Sequence, residues 1–143
     1  MGEHIDKVSV SIELSRRLRW ADTDATGRLH FPRIFEIIEE AESELLRTVG
    51  WPVGINESRY DFPRVHLDCS FYRMIMHDTP FRLKLSVERL GHTSIRYNFQ
   101  VCDLEDELAI KGTMTVVVLQ EGKSTDIPDA LRSKLSGEIE RSE

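Results

Sequence analysis

The segment RLRWADTDATGRLHF, from Arg17 to Phe31, places two carboxylates two residues apart, Asp22 and Asp24, ahead of Thr26, Gly27 and His30 and a long apolar-periodic run. Carboxylates so spaced can hold a divalent cation, take part in phosphoryl or acyl transfer, or bond the backbone of a turn. A calcium loop would use Asp22, Asp24, Thr26 and Gly27 as its positions 1, 3, 5 and 6, but position 12, where a bidentate Glu is required, falls on Arg33. No metal site is therefore expected. The D-x-D-x-T pattern of haloacid-dehalogenase-like phosphotransferases follows a fully buried parallel strand, which reads as a continuous apolar run. SRRLRWA is no such run, and the chain lacks the alternating strands and helices of that architecture.

Two readings of the aspartates stay open on the residues alone. An Asp-rich turn uses its carboxylates to bond local backbone N–H groups before a helix, and Asp22 suits that role. Alternatively, Asp24 stands just upstream of a helix N-terminus, whose free N–H groups and positive dipole end stabilise a developing oxyanion. A carboxylate beside such a site can attack a bound carbonyl or activate water against it. Acyl transfer from a thiol fits best, because a thiolate leaves with little acid assistance.

The surrounding pattern supplies the elements. Val8, Val10, Ile12 and Leu14 alternate with polar residues, which predicts a half-buried strand. Leu18 and Trp20 keep the same parity, so continued extension would turn Asp22 and Asp24 inward. From Phe31 the period becomes helical, with Ile34, Phe35, Ile38, Ala41, Leu45, Leu46 and Val49 on one face and Glu36, Glu40 and Glu44 on the other. Pro32 suits the first turn and Gly50 a stop, so a helix over 32–49 is expected. Four alternating runs follow: Val65 to Phe71, Phe81 to Val87, Ile95 to Val101 and Leu108 to Val118. Short connections such as HDTP, GHTS and DLEDE favour antiparallel pairing. A terminal helix from Pro128 would bury Leu131, Leu135 and Ile139. The sum is an α+β protein in which a mainly antiparallel five-stranded sheet covers the helix.

The 143 residues fit one domain, 1–143. No apolar run approaches the roughly 20 residues of a membrane span, and MGEHIDKVSV lacks the features of a secretory leader, so a cytoplasmic protein without membrane insertion is expected. Cys69 and Cys102 lack metal-binding spacing and read as packed thiols. A net charge of -6 with scattered Lys and Arg argues against a nucleic-acid partner.

The run RWADTDATGRLHFPRIFEIIEEAESELLRTVGW resembles the N-terminal signature of hotdog-fold acyl-CoA thioesterases of the 4-hydroxybenzoyl-CoA thioesterase and YbgC-like group. The likeness continues through FPRVHLDCSFYRMIMHDTPFRLKLSVERLGHTSIRYNFQV. It implies a hotdog fold, a long central helix wrapped by the sheet, and hydrolysis of an acyl thioester on coenzyme A or an acyl carrier protein. No cofactor is implied beyond the coenzyme A of the substrate. By resemblance the reacting carboxylate is Asp24, the carbonyl is polarised by the backbone N–H near Phe31, and Gly27 shapes the turn. Glu39, in EEAE, and His30 are candidate supporting groups. Some relatives place several basic residues at LGHTS against the nucleotide phosphates. Here only His92 stands there, beside Thr93 and Ser94, with Arg28 and Arg33 as other candidates. Homodimers or homotetramers with sites between subunits are also implied.

Two alternatives belong to other classes. A non-catalytic hotdog module would bind the thioester without cleaving it, and an Asp24 bonded to local backbone would favour it. A hotdog dehydratase or isomerase would need a base at the acyl α-carbon, for which His30 is the nearby candidate. The segment PVGINESRYDFPR, 52–64, reads equally as a lining of the acyl end or as a surface connection.

Overall fold

The computed structural model describes residues 10–51 and 59–137. Val8, Ile139 and most of the 52–64 connection therefore lie outside the described residues. In chain order the elements are β1 (Ser11–Arg17), a single 3-10 turn (Trp20–Asp22), α1 (Arg33–Thr48), β2 (Tyr60–Asp61), β3 (Arg64–Phe71), β4 (Pro80–Leu90), β5 (Ser94–Cys102), β6 (Leu108–Val117), β7 (Leu119–Gln120), β8 (Lys123–Ser124) and α2 (Asp129–Ser136).

The five longer strands form one antiparallel sheet in the order β1-β4-β5-β6-β3, and β2, β7 and β8 make a small second sheet. Tight connections force β4, β5 and β6 to be neighbours, whereas β1 and β3, separated by the helix, take opposite edges. Alternation along β4 and β5 is strict: Phe81, Leu83, Leu85, Ile95, Tyr97, Phe99 and Val101 are all buried. Against them lie Ile34, Ile38, Ala41 and Leu45 of α1, recurring at helical spacing. The helix starts one residue later and ends one earlier than the periodicity suggests. Pro32, with no N–H to donate, is the residue before the first turn, and Gly50 at φ +86° ends the run.

Two expectations fail, each for a local reason. Extended backbone does not continue past Arg17: Leu18 donates to the Thr79 carbonyl at 2.9 Å and the chain then turns through Trp20–Asp22. The strand parity is lost there, so Trp20 is 68% exposed and Asp24 is exposed, while Leu18 and Asp22 are buried. Nor is β3 half-buried. The helix packs on β1 and β4, at the other side of the sheet, and leaves Val65, Leu67 and Phe71 open on the edge strand.

The β3–β6 pairing depends on Gly112. A Cβ there would stand 2.0 Å from the Asp68 carbonyl oxygen and 2.5 Å from the Phe99 ring. Only a missing side chain lets the two strands and the ring close together. Gly112→Ala is expected to cost about 3 kcal/mol, read from the urea midpoint; a loss below about 0.5 kcal/mol, the size of an ordinary surface change, would show that the edge strand is free to move.

Candidate active site

The site is built on a tight reversal between β1 and α1. Thr23 and Leu29 form an antiparallel bridge, the Asp24 N–H donates to the Arg28 carbonyl at 2.8 Å, and the Gly27 N–H donates to the Asp24 carbonyl at 3.0 Å. Gly27 sits at φ +81° with nothing within 4 Å of a hypothetical Cβ, so its requirement is conformational rather than spatial. The reversal is fixed to the β3–β4 connection by the His77 N–H on the Gly27 carbonyl, 2.9 Å, and by the Leu29 N–H on the Ile75 carbonyl, 2.8 Å.

Asp22 anchors this loop to the helix. Its carboxylate is 4% exposed and receives Arg19 Nε at 3.1 Å and Nη2 at 3.0 Å, then Arg33 Nε at 3.1 Å and Nη2 at 2.8 Å. The Arg19 backbone N–H adds a fifth bond at 3.2 Å. The Arg19 side chain, aided by Arg33 and opposed by burial, holds the Asp22 carboxyl far below the usual carboxylate range. The Asp22 carbonyl also takes the His30 N–H at 2.9 Å, which fixes the approach to the helix. Arg33, a sequence candidate for phosphate contact, is thus committed to Asp22 and to Glu36, and is not free for that task.

Asp24 is arranged differently. Its Oδ1 accepts the Thr26 N–H at 2.8 Å, the Thr26 hydroxyl at 2.6 Å and, more weakly, the Arg28 N–H at 3.4 Å. Its Oδ2 has no hydrogen bond among the described residues. The Thr26 hydroxyl above all, then the Thr26 amide, lowers the Asp24 carboxyl below its ordinary value, so the group is ionised at neutral pH. The result is an oriented anion with one open oxygen. The Phe31 N–H likewise has no acceptor among the described residues, whereas the His30, Arg33, Ile34 and Phe35 amides are all satisfied. Phe31 itself is 60% exposed, with the His30 ring 6.2 Å away at its edge.

Other candidates are scattered. The backbone at Arg28 bridges to Met76, and its exposed guanidinium makes no ion pair among the described residues. His92 and Thr93 belong to the β4–β5 turn and Ser94 opens β5; the turn carbonyls at Gly91 and His92 accept from Arg132 of α2 at 2.7 and 3.3 Å. That turn is at the far end of β4 from Pro80, beside which the Asp22 loop is anchored. Eleven residues of strand at about 3.3 Å each keep the two apart within one chain. Glu39 lies on the wall of a half-open cavity of about 200 Å³ between α1 and β3, with Phe35, Glu36, Ile38, Arg64, Leu67 and Met114. Sequence reading misses two groups here. Arg19 is the partner of Asp22, signalled only by its i to i+3 spacing, and Glu42 is a buried acid inside what looks like a solvated acidic run. Among the described residues no three His, Cys, Asp or Glu side chains are grouped to hold a metal ion, and no helix is long and apolar enough to cross a membrane.

Residues 18–135 match the family described as the thioesterase-like superfamily. A 1,4-dihydroxy-2-naphthoyl-CoA hydrolase of Synechococcus sp. (strain CC9605) is 30% identical over 115 residues, 76% of this chain and 76% of that protein. Among solved structures, a protein from Aquifex aeolicus superposes with a TM-score of 0.81 at 25% identity, covering 87% of this chain and 98% of that one. A 1,4-dihydroxy-2-naphthoyl-CoA thioesterase from Synechocystis gives a TM-score of 0.79 at 18% identity, over 87% of this chain and 95% of that chain, a likeness of fold.

The Asp22 cluster carries a pH dependence of definite sign. A carboxyl whose folded pKa is depressed contributes stability above its unfolded value, about 3.9, and loses it as pH falls toward the folded value. Asp22→Asn should cost about 2 kcal/mol at pH 7, the scale of charge-assisted hydrogen bonds. In denaturation series from pH 7 to pH 3, the gap between wild type and variant should narrow below about pH 4; a constant gap would mean that the ionised carboxylate is not what holds the loop.

Proposed function

The chain belongs to the thioesterase-like superfamily, with the hotdog fold of that group, and from that premise we propose that it hydrolyses the thioester of an aromatic acyl group on coenzyme A, with Asp24 as the reacting carboxylate. The aromatic class is carried over from the named relatives, one of which is a 1,4-dihydroxy-2-naphthoyl-CoA hydrolase. The observation that supports the reaction is the state of Asp24: ionised, steered through Oδ1 by Thr26, and open at Oδ2, on the loop that leads to the unpaired Phe31 N–H.

In this mechanism the thioester carbonyl oxygen takes the Phe31 N–H, at the positive end of α1, where the tetrahedral oxyanion is stabilised as it forms. Asp24 Oδ2 then has two routes. It attacks the carbonyl carbon, expelling thiolate and leaving an acyl-aspartyl anhydride that water cleaves, or it takes a proton from a water that attacks directly. Either route consumes one water and yields a carboxylic acid and a thiol. Neither uses a metal or a redox group.

A second reading is favoured by one specific feature, the bonding of Asp24 Oδ1 to its own turn. In a binding module that bonding would be the whole role of the residue. Thiol release from aryl-, alkyl- and carrier-protein thioesters separates the readings. Wild type is expected to hydrolyse an aryl-CoA, and Asp24→Asn to lose at least about 100-fold in kcat/KM. Full activity in the variant would remove Asp24 from the mechanism, and binding without turnover by wild type would favour the module.

We further propose that the working unit is a dimer joined at β3. One edge of this eight-residue strand pairs with β6, while the other edge has no strand beside it among the described residues and is flanked by exposed Val65, Leu67 and Phe71. An open edge with apolar side chains is a template for a second copy. Such a partner would also cover the fully open Asp24 turn or bring up a β4–β5 turn that one chain keeps distant. Sedimentation should give a dimer or a multiple of it, and Val65→Lys should shift it to monomer with loss of activity. A fully active monomeric variant would overturn this.

A further inference from the structure

The cavity between α1 and β3 has Arg64 in its wall, and behind that side chain stands a buried acid. Glu42 is 5% exposed on the core side of the helix, and its Oε1 accepts Nη2 of Arg64, the first residue of β3. The wholly buried Tyr97 phenol faces the same carboxylate, yet Oε2 has no partner at hydrogen-bonding geometry. Burial pushes the Glu42 carboxyl up, and Arg64 and Tyr97 oppose that rise. Arg64 is further held by Nη1 on the Phe62 carbonyl at 2.8 Å. Two of its five N–H donors are thereby used, and the rest have no acceptor among the described residues. The Arg64 side chain is 34% exposed and forms part of the cavity wall.

The remaining walls show what such a fixed cation could read. Phe35, Ile38 and Glu42 recur at spacings of three and four, so they share one stripe of α1, and Phe31 stands two residues ahead of its start. Phe35 at the cavity is four residues on from Phe31, in the tight first turn where the Phe35 N–H donates to the Pro32 carbonyl at 3.1 Å. An acyl group whose carbonyl is held at Phe31 would extend along this stripe. The cavity of about 200 Å³ is of the size that admits one or two fused rings, since a 150 Å³ apolar cavity admits benzene. Its apolar walls, Phe35, Ile38, Leu67 and Met114, suit a ring. Polar groups are few: Arg64 as donor and Glu39 as acceptor, because Glu36 is paired with Arg33. One cation faces two carboxylates, Glu39 and Glu42, so an added carboxylate would be repelled. A neutral hydroxyl can accept from Arg64 and donate to Glu39.

We propose that Arg64, positioned by buried Glu42, is a specificity-determining residue that hydrogen-bonds a hydroxyl on the acyl ring at the end remote from the thioester. This rests on the thioesterase reading above for the orientation of the ligand, and it assigns the preference to an ion pair that the reaction itself does not use. Arg64 is the reading group and Glu42 a positioning residue behind it.

The test compares 4-hydroxybenzoyl-CoA with benzoyl-CoA in turnover, and their inert thioether analogues, 4-hydroxyphenacyl-CoA and phenacyl-CoA, in calorimetric binding. Wild type should prefer the hydroxylated member of each pair. Arg64→Met should lower kcat/KM for 4-hydroxybenzoyl-CoA about 10- to 100-fold and change benzoyl-CoA less than about threefold. Because Arg64→Met leaves a buried carboxylate unpaired, the double variant Glu42→Met, Arg64→Met removes both charges and serves as the folded control; it should show the same lost preference. Equal losses on both substrates, an unchanged preference in the double variant, or no preference in wild-type binding would each overturn the assignment. If no thioester turns over while the analogues retain an Arg64-dependent preference, the catalytic reading fails and the assignment stands.

Discussion

The Asp22 carboxylate and its two arginines are what the remainder of the site depends on. A buried anion is costly unless its lone pairs are satisfied, and five hydrogen bonds from Arg19 and Arg33 satisfy it. These partners come from two places: Arg19, just ahead of the 3-10 turn, and Arg33, the first residue of α1. Joining them fixes the distance between loop and helix. The unpaired Phe31 N–H then lies between an amide satisfied by Asp22, that of His30, and Pro32, which has none. The first aspartate of the D-x-D pair builds the frame, and its neighbour is left with an oxygen to spare.

The cavity is a consequence of where the helix rests. Packing of α1 on β1 and β4 buries its Ile34, Ile38, Ala41 and Leu45 stripe well, but leaves the β3 side of the sheet without a cover. The seam between helix and edge strand is therefore partly apolar and partly open, lined by Phe35, Leu67 and Met114. Gly112 keeps β3 close to β6 and so keeps that seam narrow.

Much of this was legible in the residue pattern, and the failures have physical causes. Alternation located β1, β4, β5 and β6 because both strand faces there have defined surroundings; for β3 the same alternation was present but the covering layer was not, which no local pattern reports. The helix was readable to within a residue at each end. The turn-bonding role was read onto Asp22, whereas it is Asp24 whose carboxylate bonds the Thr26 amide and hydroxyl of its own turn, and the inward direction assigned to Asp24 failed once the strand ended at Arg17. Arg33 read as a candidate phosphate contact because its partner Asp22 is eleven residues away in sequence. Glu42 was hidden among Glu39, Glu40 and Glu44. Only its phase, four residues after Ile38 and three before Leu45, sets it on the buried face, and its partner Arg64 is twenty-two residues on.

The two buried carboxylates show how donor number decides the outcome of one chemical arrangement. Asp22 has five donors and its acidity rises; Glu42 has one arginine contact and a phenol, keeps an unpartnered oxygen, and its acidity falls. Both are acid–arginine pairs, but only the first is closed. A pair such as Glu42 and Arg64 is a poor device for stability alone, since apolar residues of similar volume serve as well or better. What apolar residues cannot supply is a guanidinium held still, with donors unspent, at the wall of an apolar cavity.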